Sequence, residues 1–201
     1  TSVIVRTSGG EASLVSISGV QAIALSGTPA NPSLPSANPG QTIRLLGDGI
    51  TLSTEIIFPI IDVNGTRSNR VLLPDLASTD GRIAEVRVPN DAVTGSIQVV
   101  GAAGSFPLQV VPTLALAEVF PSNSLRLLGG GFTENSSLTV TVGGTPIADT
   151  GTNIDVRTNF LANDTLWLTT ALAGPVTVTT AGGTSGAVTI PVSDPASTDS
   201  L

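Results

Sequence analysis

Apolar residues alternate with Thr or Ser in several short runs, such as "SLTVTV" at 137–142, "PVTVTT" at 175–180, "SVIVRT" at 2–7 and "SIQVV" at 96–100. Period-two alternation broken by Gly, Pro, Asn and Asp predicts half-buried β-strands. Nowhere does an i, i+3, i+4, i+7 pattern last long enough for a substantial helix. Short strands at close spacing predict an all-β sandwich or barrel.

The strands repeat. Laying Ile43-Arg44-Leu45-Leu46-Gly47 on Leu125-Arg126-Leu127-Leu128-Gly129 also brings Gly49 onto Gly131 and Thr51 onto Thr133. The same register carries Ile56, Phe58 and Ile60 onto Leu138, Val140 and Val142, so one buried face is kept beyond the identical letters. Downstream, "GSIQVVGAAGSFPLQVV" (95–111) matches "GPVTVTTAGGTSGAVTI" (174–190), and "SVIVRTSGGEASLVSI" (2–17) matches that ending a third time. The pattern predicts tandem sandwiches after the remnant of another repeat. Residues 1–18 are the closing hairpin of an incomplete preceding repeat, and 19–112 are module 1 with a Pro-rich loop at 28–40. Module 2 is 113–193 and a polar tail is 194–201. The glycines of "LRLLGGGFT" (125–133) are read as a strand-turning device. A phosphate cradle would need a following helix or a P-loop Lys, and the chain has neither signal.

On these residues each module resembles an IPT/TIG domain, an immunoglobulin-like fold. The resemblance rests on Pro39-Gly40, Gly47-Asp48-Gly49-Ile50, Val88-Pro89 and Gly95 to Val99 in module 1. In module 2 it rests on Gly129 to Phe132, Val140-Thr141-Val142-Gly143-Gly144 and Gly174 to Val178. Module 1 has Ile50 where the pattern has an aromatic residue and lacks the "VGG" strand end; module 2 lacks the "VP". The resemblance implies tandem immunoglobulin-like β-sandwiches that act as spacers or binding surfaces, with no catalytic residues to carry over.

Composition narrows the chemistry. The chain has 201 residues, no Cys, His, Met or Tyr, and a formal net charge of −7; all eight basic residues are Arg. There is no thiolate, no imidazole base or ligand, and no amine for a Ser–Lys dyad, a Schiff base or a Lys–Asn isopeptide. An enzyme would have to run on carboxylates, hydroxyls and Arg, and no convincing acid pair is visible. The expectation is no enzyme, no cofactor and no metal. Singly scattered Arg in an acidic chain lacks the basic footprint of a nucleic-acid binder. No apolar run reaches the length of a membrane span. Low charge, abundant Ser and Thr, and the absence of sulfur resemble bacterial surface-layer and extracellular repeat proteins, so the expected location is extracellular or cell-surface. With Thr1 first and no signal-peptide pattern, the chain is expected to be a mature product, an excised piece or an expressed fragment.

Comparing the modules yields the candidate interface residues. Ile57, Ile61 and Val63 lie opposite Ile56, Phe58 and Ile60, whereas module 2 carries Thr139, Gly143 and Thr145 at the matching outward positions. A strand apolar on both faces is expected to be covered on both, here by the leading hairpin, the Pro-rich segment or a neighbouring subunit. The competing explanation is a register irregularity at Pro59. Trp167 in "TLWLTT" is read as outward, with Leu166 and Leu168 inward, where it could stack on a sugar or a protein partner; the opposite register would bury it. Asp62-Val63-Asn64-Gly65 faintly resembles the start of a calcium loop but lacks the downstream bidentate acid, so it is read as a turn. The triplets at Asn64, Asn135 and Asn163 fit the glycosylation pattern about as often as chance allows.

These features predict a non-catalytic structural or adhesive extracellular protein. Its modules would form a rod, fibre or surface layer through contacts with other copies or with neighbouring repeats of a longer chain. The front half of the leading repeat would lie upstream in a longer precursor or be supplied by a neighbouring subunit. The alternatives are a polysaccharide-binding accessory module of a secreted protein, and a virion decoration or tail protein.

Overall fold

A computed structural model describes residues 4–7, 10–13, 15–102, 104–134 and 138–190. The described residues are all-β, with no helix beyond one 3-10 turn at Pro121–Asn123. The leading hairpin pairs β1 (Ile4–Thr7) with β2 (Gly10–Ser13). Next come β3 (Ser16–Gln21), β4 (Thr28–Pro29), β5 (Ser36–Ala37), β6 (Thr42–Asp48), β7 (Ile56–Ile61) and β8 (Arg67–Leu72). Then follow β9 (Leu76–Ala77), β10 (Ile83–Arg87), β11 (Gly95–Val99) and β12 (Phe106–Val110). The second module holds β13 (Thr113–Phe120), β14 (Ser124–Gly130), β15 (Thr139–Val142), β16 (Thr145–Ala148) and β17 (Ile154–Arg157). It closes with β18 (Thr165–Thr169), β19 (Gly174–Thr180), β20 (Gly183–Thr184) and β21 (Val188–Ile190).

In module 1 a β3-β6-β10-β9 sheet faces a β5-β12-β11-β7-β8 sheet. This is immunoglobulin topology, in which the first strand switches sheets: β3 pairs antiparallel with β6, and β5 then runs parallel to β12. Ile43, Leu45, Phe58, Val86, Ile97 and Leu108 fill the space between the sheets. Module 2 repeats the plan with β13-β14-β18-β17 against β16-β15-β19-β20. Its core holds Leu125, Leu127, Phe132, Val140, Leu166 and Val178. The predicted inward set of module 2 is buried throughout, whereas in module 1 Ile56 and Phe58 are buried and Ile60 is only half-buried.

The glycine turns are structural in both modules. Gly49 and Gly131 both have φ of +72°, a left-handed conformation that releases Ile50 and Phe132 back into their cores. Gly47 and Gly129 serve differently. A Cβ on Gly47 would collide with the carbonyl oxygen of Ser16, and one on Gly129 with that of Thr113. Both clashes sit where the first strand of a module bulges, between Ile17 and Gly19 and between Leu114 and Leu116. The repeated glycines thus mark a repeated bulge.

Two boundaries differ from the sequence expectation. The repeat pattern runs the leading hairpin to residue 18, yet Ser16 and Ile17 pair with Asp48 and Gly47, and Val15 and Ile17 pack on the first core. Burial of those two side chains draws the segment into module 1. The start of the Pro-rich loop at 28–40 also leaves its own module: Thr28 and Pro29 pair with Thr184 and Gly183, extending the second sheet of module 2 by one strand, while Ser36 and Ala37 return to β12 of module 1. The expected tail at 194–201 lies outside the described residues.

Replacing Gly129 with Ala forces β13 away from β14. The expected loss is about 1–3 kcal/mol of stability in chemical denaturation, and an unchanged midpoint would show that the bulge relaxes freely.

Candidate functional site

No group of three or more acidic side chains among the described residues is placed to hold a metal ion. Asp62 spends its carboxylate on its own turn, its Oδ1 accepting the N–H groups of Asn64 and Thr66 at 2.9 Å each. The Thr66 N–H above all, with that of Asn64, holds its pKa below the ordinary Asp value. Asn163 is buried, and the Asn135 triplet lies outside the described residues.

Trp167 stands on the outer face of the β13-β14-β18-β17 sheet, half-buried, with Leu166 and Leu168 turned into the core. Strand pairing sets Arg126 on one side of it and Asp155 on the other. Guanidinium carbons of Arg126 and Arg157 each lie 5.6 Å from the indole centroid, and Phe120 approaches at 5.2 Å with a 39° tilt. Arg126 also lies 5.3 Å from the Phe120 ring and is ion-paired to Glu118; Arg157 pairs with Asp155 at 2.6 Å. A ladder Phe120–Arg126–Trp167–Arg157 therefore crosses four strands, with each cation–π contact worth roughly 0.5–1 kcal/mol at such exposure. The indole stands between guanidiniums on the two flanking strands, so a sugar ring stacking on it must first displace one of them.

The apolar strand face divides. Ile57 stays half-buried on the outer surface, opposite the exposed Val71. Ile61 is buried at the end of β7, and Val63 packs on the core of module 2. The cover for Val63 comes from module 2. Alternation fails at Pro59–Ile60, where Ile60 makes an isolated bridge to Ala92 and Ile61 N–H donates to the Asp91 carbonyl. β7 and β8 nonetheless stay in register from Ile56 to Ile61, so the break lies in the burial pattern and not in that pairing.

A dense junction forms there. Asn163, buried and with φ of +54°, donates through Nδ2 to the carbonyls of Ile61 and Phe132, both at 3.0 Å. Asn38 does the same on the module 1 side, donating to Val111 and Ser26 at 2.9 and 3.0 Å. Ala30 N–H reaches the Gly182 carbonyl beside the β4–β20 pair. Asp164 anchors the loop that carries Asn163, accepting N–H bonds from Asn159, Phe160 and Leu161 at 2.7–2.8 Å and the Thr165 hydroxyl at 3.0 Å. Burial alone would raise its pKa. The Leu161, Phe160 and Asn159 N–H groups outweigh burial and hold it below the ordinary value. Sequence reasoning missed Asn163 and Asp164 because their roles depend on a carbonyl about a hundred residues away and on a loop without periodicity.

No protein-family model matches the chain, and no curated protein matches it. Among solved structures it is similar to the surface glycan-binding protein PbSGBP-B from Prevotella bryantii, at 18% identity and a TM-score of 0.41. The match covers 88% of this chain and 41% of that one, so this chain spans about two fifths of that protein's length.

Two outcomes follow from the junction. Ile61→Ser costs about 2–5 kcal/mol in denaturant midpoint experiments, whereas Ile57→Ser costs less than about 1 kcal/mol; equal costs would mean that both face solvent alike. Asp164 has a depressed native pKa, so its contribution is full above the ordinary Asp value of 3.8 and is lost as pH falls through the lower native value. In an NMR pH titration the Asn159, Phe160 and Leu161 amides should shift in that acid window, and Asp164→Asn should abolish the shared transition.

Proposed function

We propose that this chain is a non-catalytic structural segment of an extracellular surface protein, built from tandem IPT/TIG-like modules that hold their neighbours at a fixed angle and spacing. The observation that carries the proposal is the junction. Module 1 donates β4 to the second sheet of module 2, and the buried amides of Asn38 and Asn163 bind backbone across or beside the seam. Flexible tandem domains are joined by exposed polar linkers with few crossing contacts. Here the connection Val111–Pro112 is short, and Val111 is fully buried. A welded pair transmits position and force, which suits a spacer in a rod, fibre or surface layer. The lack of thiol, imidazole and amine side chains agrees with a role played through surfaces.

Nothing at Trp167 favours the polysaccharide reading over this one, because its ring already packs on two arginines and Phe120. A glycan array with the native chain and Trp167→Ala tests that alternative directly; binding that depends on Trp167 would reverse the ranking.

Stiffness is measurable because the chain has no Cys of its own. Spin labels at Glu55→Cys and Thr152→Cys, both exposed, should give one narrow distance distribution in pulsed EPR. Adding Gly182→Ala should broaden it, since a Cβ there meets the Val110 carbonyl oxygen of module 1. A broad distribution in the parent would sink the spacer proposal.

A further inference from the structure

A cleft of about 350 Å³ opens in module 1 between the edges of its two sheets, where β8 and β10 part, and Leu161 of module 2 forms part of its wall. Its volume falls in the ~300–1,000 Å³ range of small-molecule sites, and such sites favour domain boundaries. Leu72, Leu73 and Leu161 supply the accessible aliphatic wall, above the buried Val86 and Val88. The polar lining is Arg70, Asp75, Arg87 and Asn90.

Those four groups are not equally committed. Arg70 is taken by Asp91 through a 2.8 Å ion pair. Arg87 is pinned by one bond, its Nε donating to the Gly40 carbonyl at 2.8 Å, which fixes the guanidinium plane and leaves its terminal nitrogens for a ligand. Asn90 Oδ1 lies on the same side, since a Cβ on Gly40 would stand 3.3 Å from it and 3.6 Å from Arg87 Nη2. Asp75 uses its backbone N–H to bond Glu85, while its carboxylate has no partner among the described residues. One cleft thus collects an oriented cation, an amide and a carboxylate, each with spare hydrogen-bonding capacity, around an aliphatic surface. Phe160, next to Leu161, has 86% of its surface exposed, on a loop that Asp164 holds rigid.

We infer that this cleft binds a pyranose unit of a glycan chain. An apolar ligand would leave three polar groups desolvated and unpaired. A phosphate would meet the Asp75 carboxylate, with only Arg87 uncompensated against it. A pyranose satisfies the set: its hydroxyls both donate to Asp75 and accept from Arg87 and Asn90, while its C–H face lies on the aliphatic wall. The cleft is open toward solvent, so the chain can continue past the ring. The site stands apart from Trp167 and does not require the spacer role, so either can fail without the other.

The test is a 15N NMR titration of the full chain with cellohexaose, maltohexaose and xylohexaose at millimolar concentration. The expected result is that at least one sugar shifts the amides of Asp75, Arg87, Asn90 and Leu161. Asp75→Ala and Asn90→Ala should each weaken that binding by at least about tenfold while leaving the rest of the spectrum in place. Absence of shifts at these amides for all three sugars, shifts centred on Trp167, or variants that bind like the native chain would overturn the assignment.

Discussion

The packing of one module on the other depends on backbones approaching more closely than any side chain allows. A Cβ on Gly182 would strike the Val110 carbonyl oxygen, and one on Gly183 the Thr28 carbonyl oxygen. Only glycine lets the closing hairpin of module 2 lie against the last strand and Pro-rich segment of module 1 at hydrogen-bonding distance. Once that contact exists, β4 is held beside β20, Ala30 reaches Gly182, and Val63 reaches the second core. Gly131, on the facing side, would meet Pro39 at 2.8 Å if it carried a Cβ. Small residues from three separated parts of the sequence thus meet at one seam.

The seam also solves an edge problem. A sandwich leaves unpaired strand edges that invite association. Module 1 covers the end of its last strand, β12, with its own β5; in module 2 the short strand β20 takes β4 of the neighbour as its outer partner. Pro29 sits in that added strand and offers no N–H for further pairing. The insertion at 28–40 that lengthens module 1 is therefore what completes module 2, and the two modules are unequal partners in spite of their common pattern.

Much of the architecture was legible in the letters. Period-two alternation located the strands, and the repeat located the equivalent bulges, because Gly47 and Gly129 recur with their flanking leucines. Trp167 could be oriented from Leu166 and Leu168 because a strand has only two faces. The junction was not legible. In the closing hairpin of module 1, Gly101 and Gly104 have φ of +81° and +98° and open space where a Cβ would stand. In the matching hairpin of module 2, Gly182 and Gly183 are hemmed in by backbone from the other module. The same letter thus answers to a turn in one place and to a close approach in the other. Alternation reports which side of a strand is apolar and says nothing about what covers it, so Ile61 and Val63 were visible as apolar but not as contacts of a particular neighbour. The arginines around Trp167 come from strands adjacent in space only, and periodicity carries no information about that pairing.

Buried polar groups then explain why the seam has one geometry and not several. Apolar contacts such as Val63 on the second core tolerate sliding, because their energy follows area and not direction. The Asn163 amide does not: displaced from the Ile61 and Phe132 carbonyls, it would be buried without partners at a cost of about 1–3 kcal/mol. Its position is in turn set by the left-handed backbone at Asn163 and by the Asp164 carboxylate, which gathers three consecutive N–H groups of the preceding loop. One exposed loop is therefore ordered by one carboxylate, that loop aims one amide across the module boundary, and the boundary acquires a direction. The same rigid loop supplies Leu161 to the cleft wall, so the feature that fixes the angle between modules also fixes the shape of the surface they share.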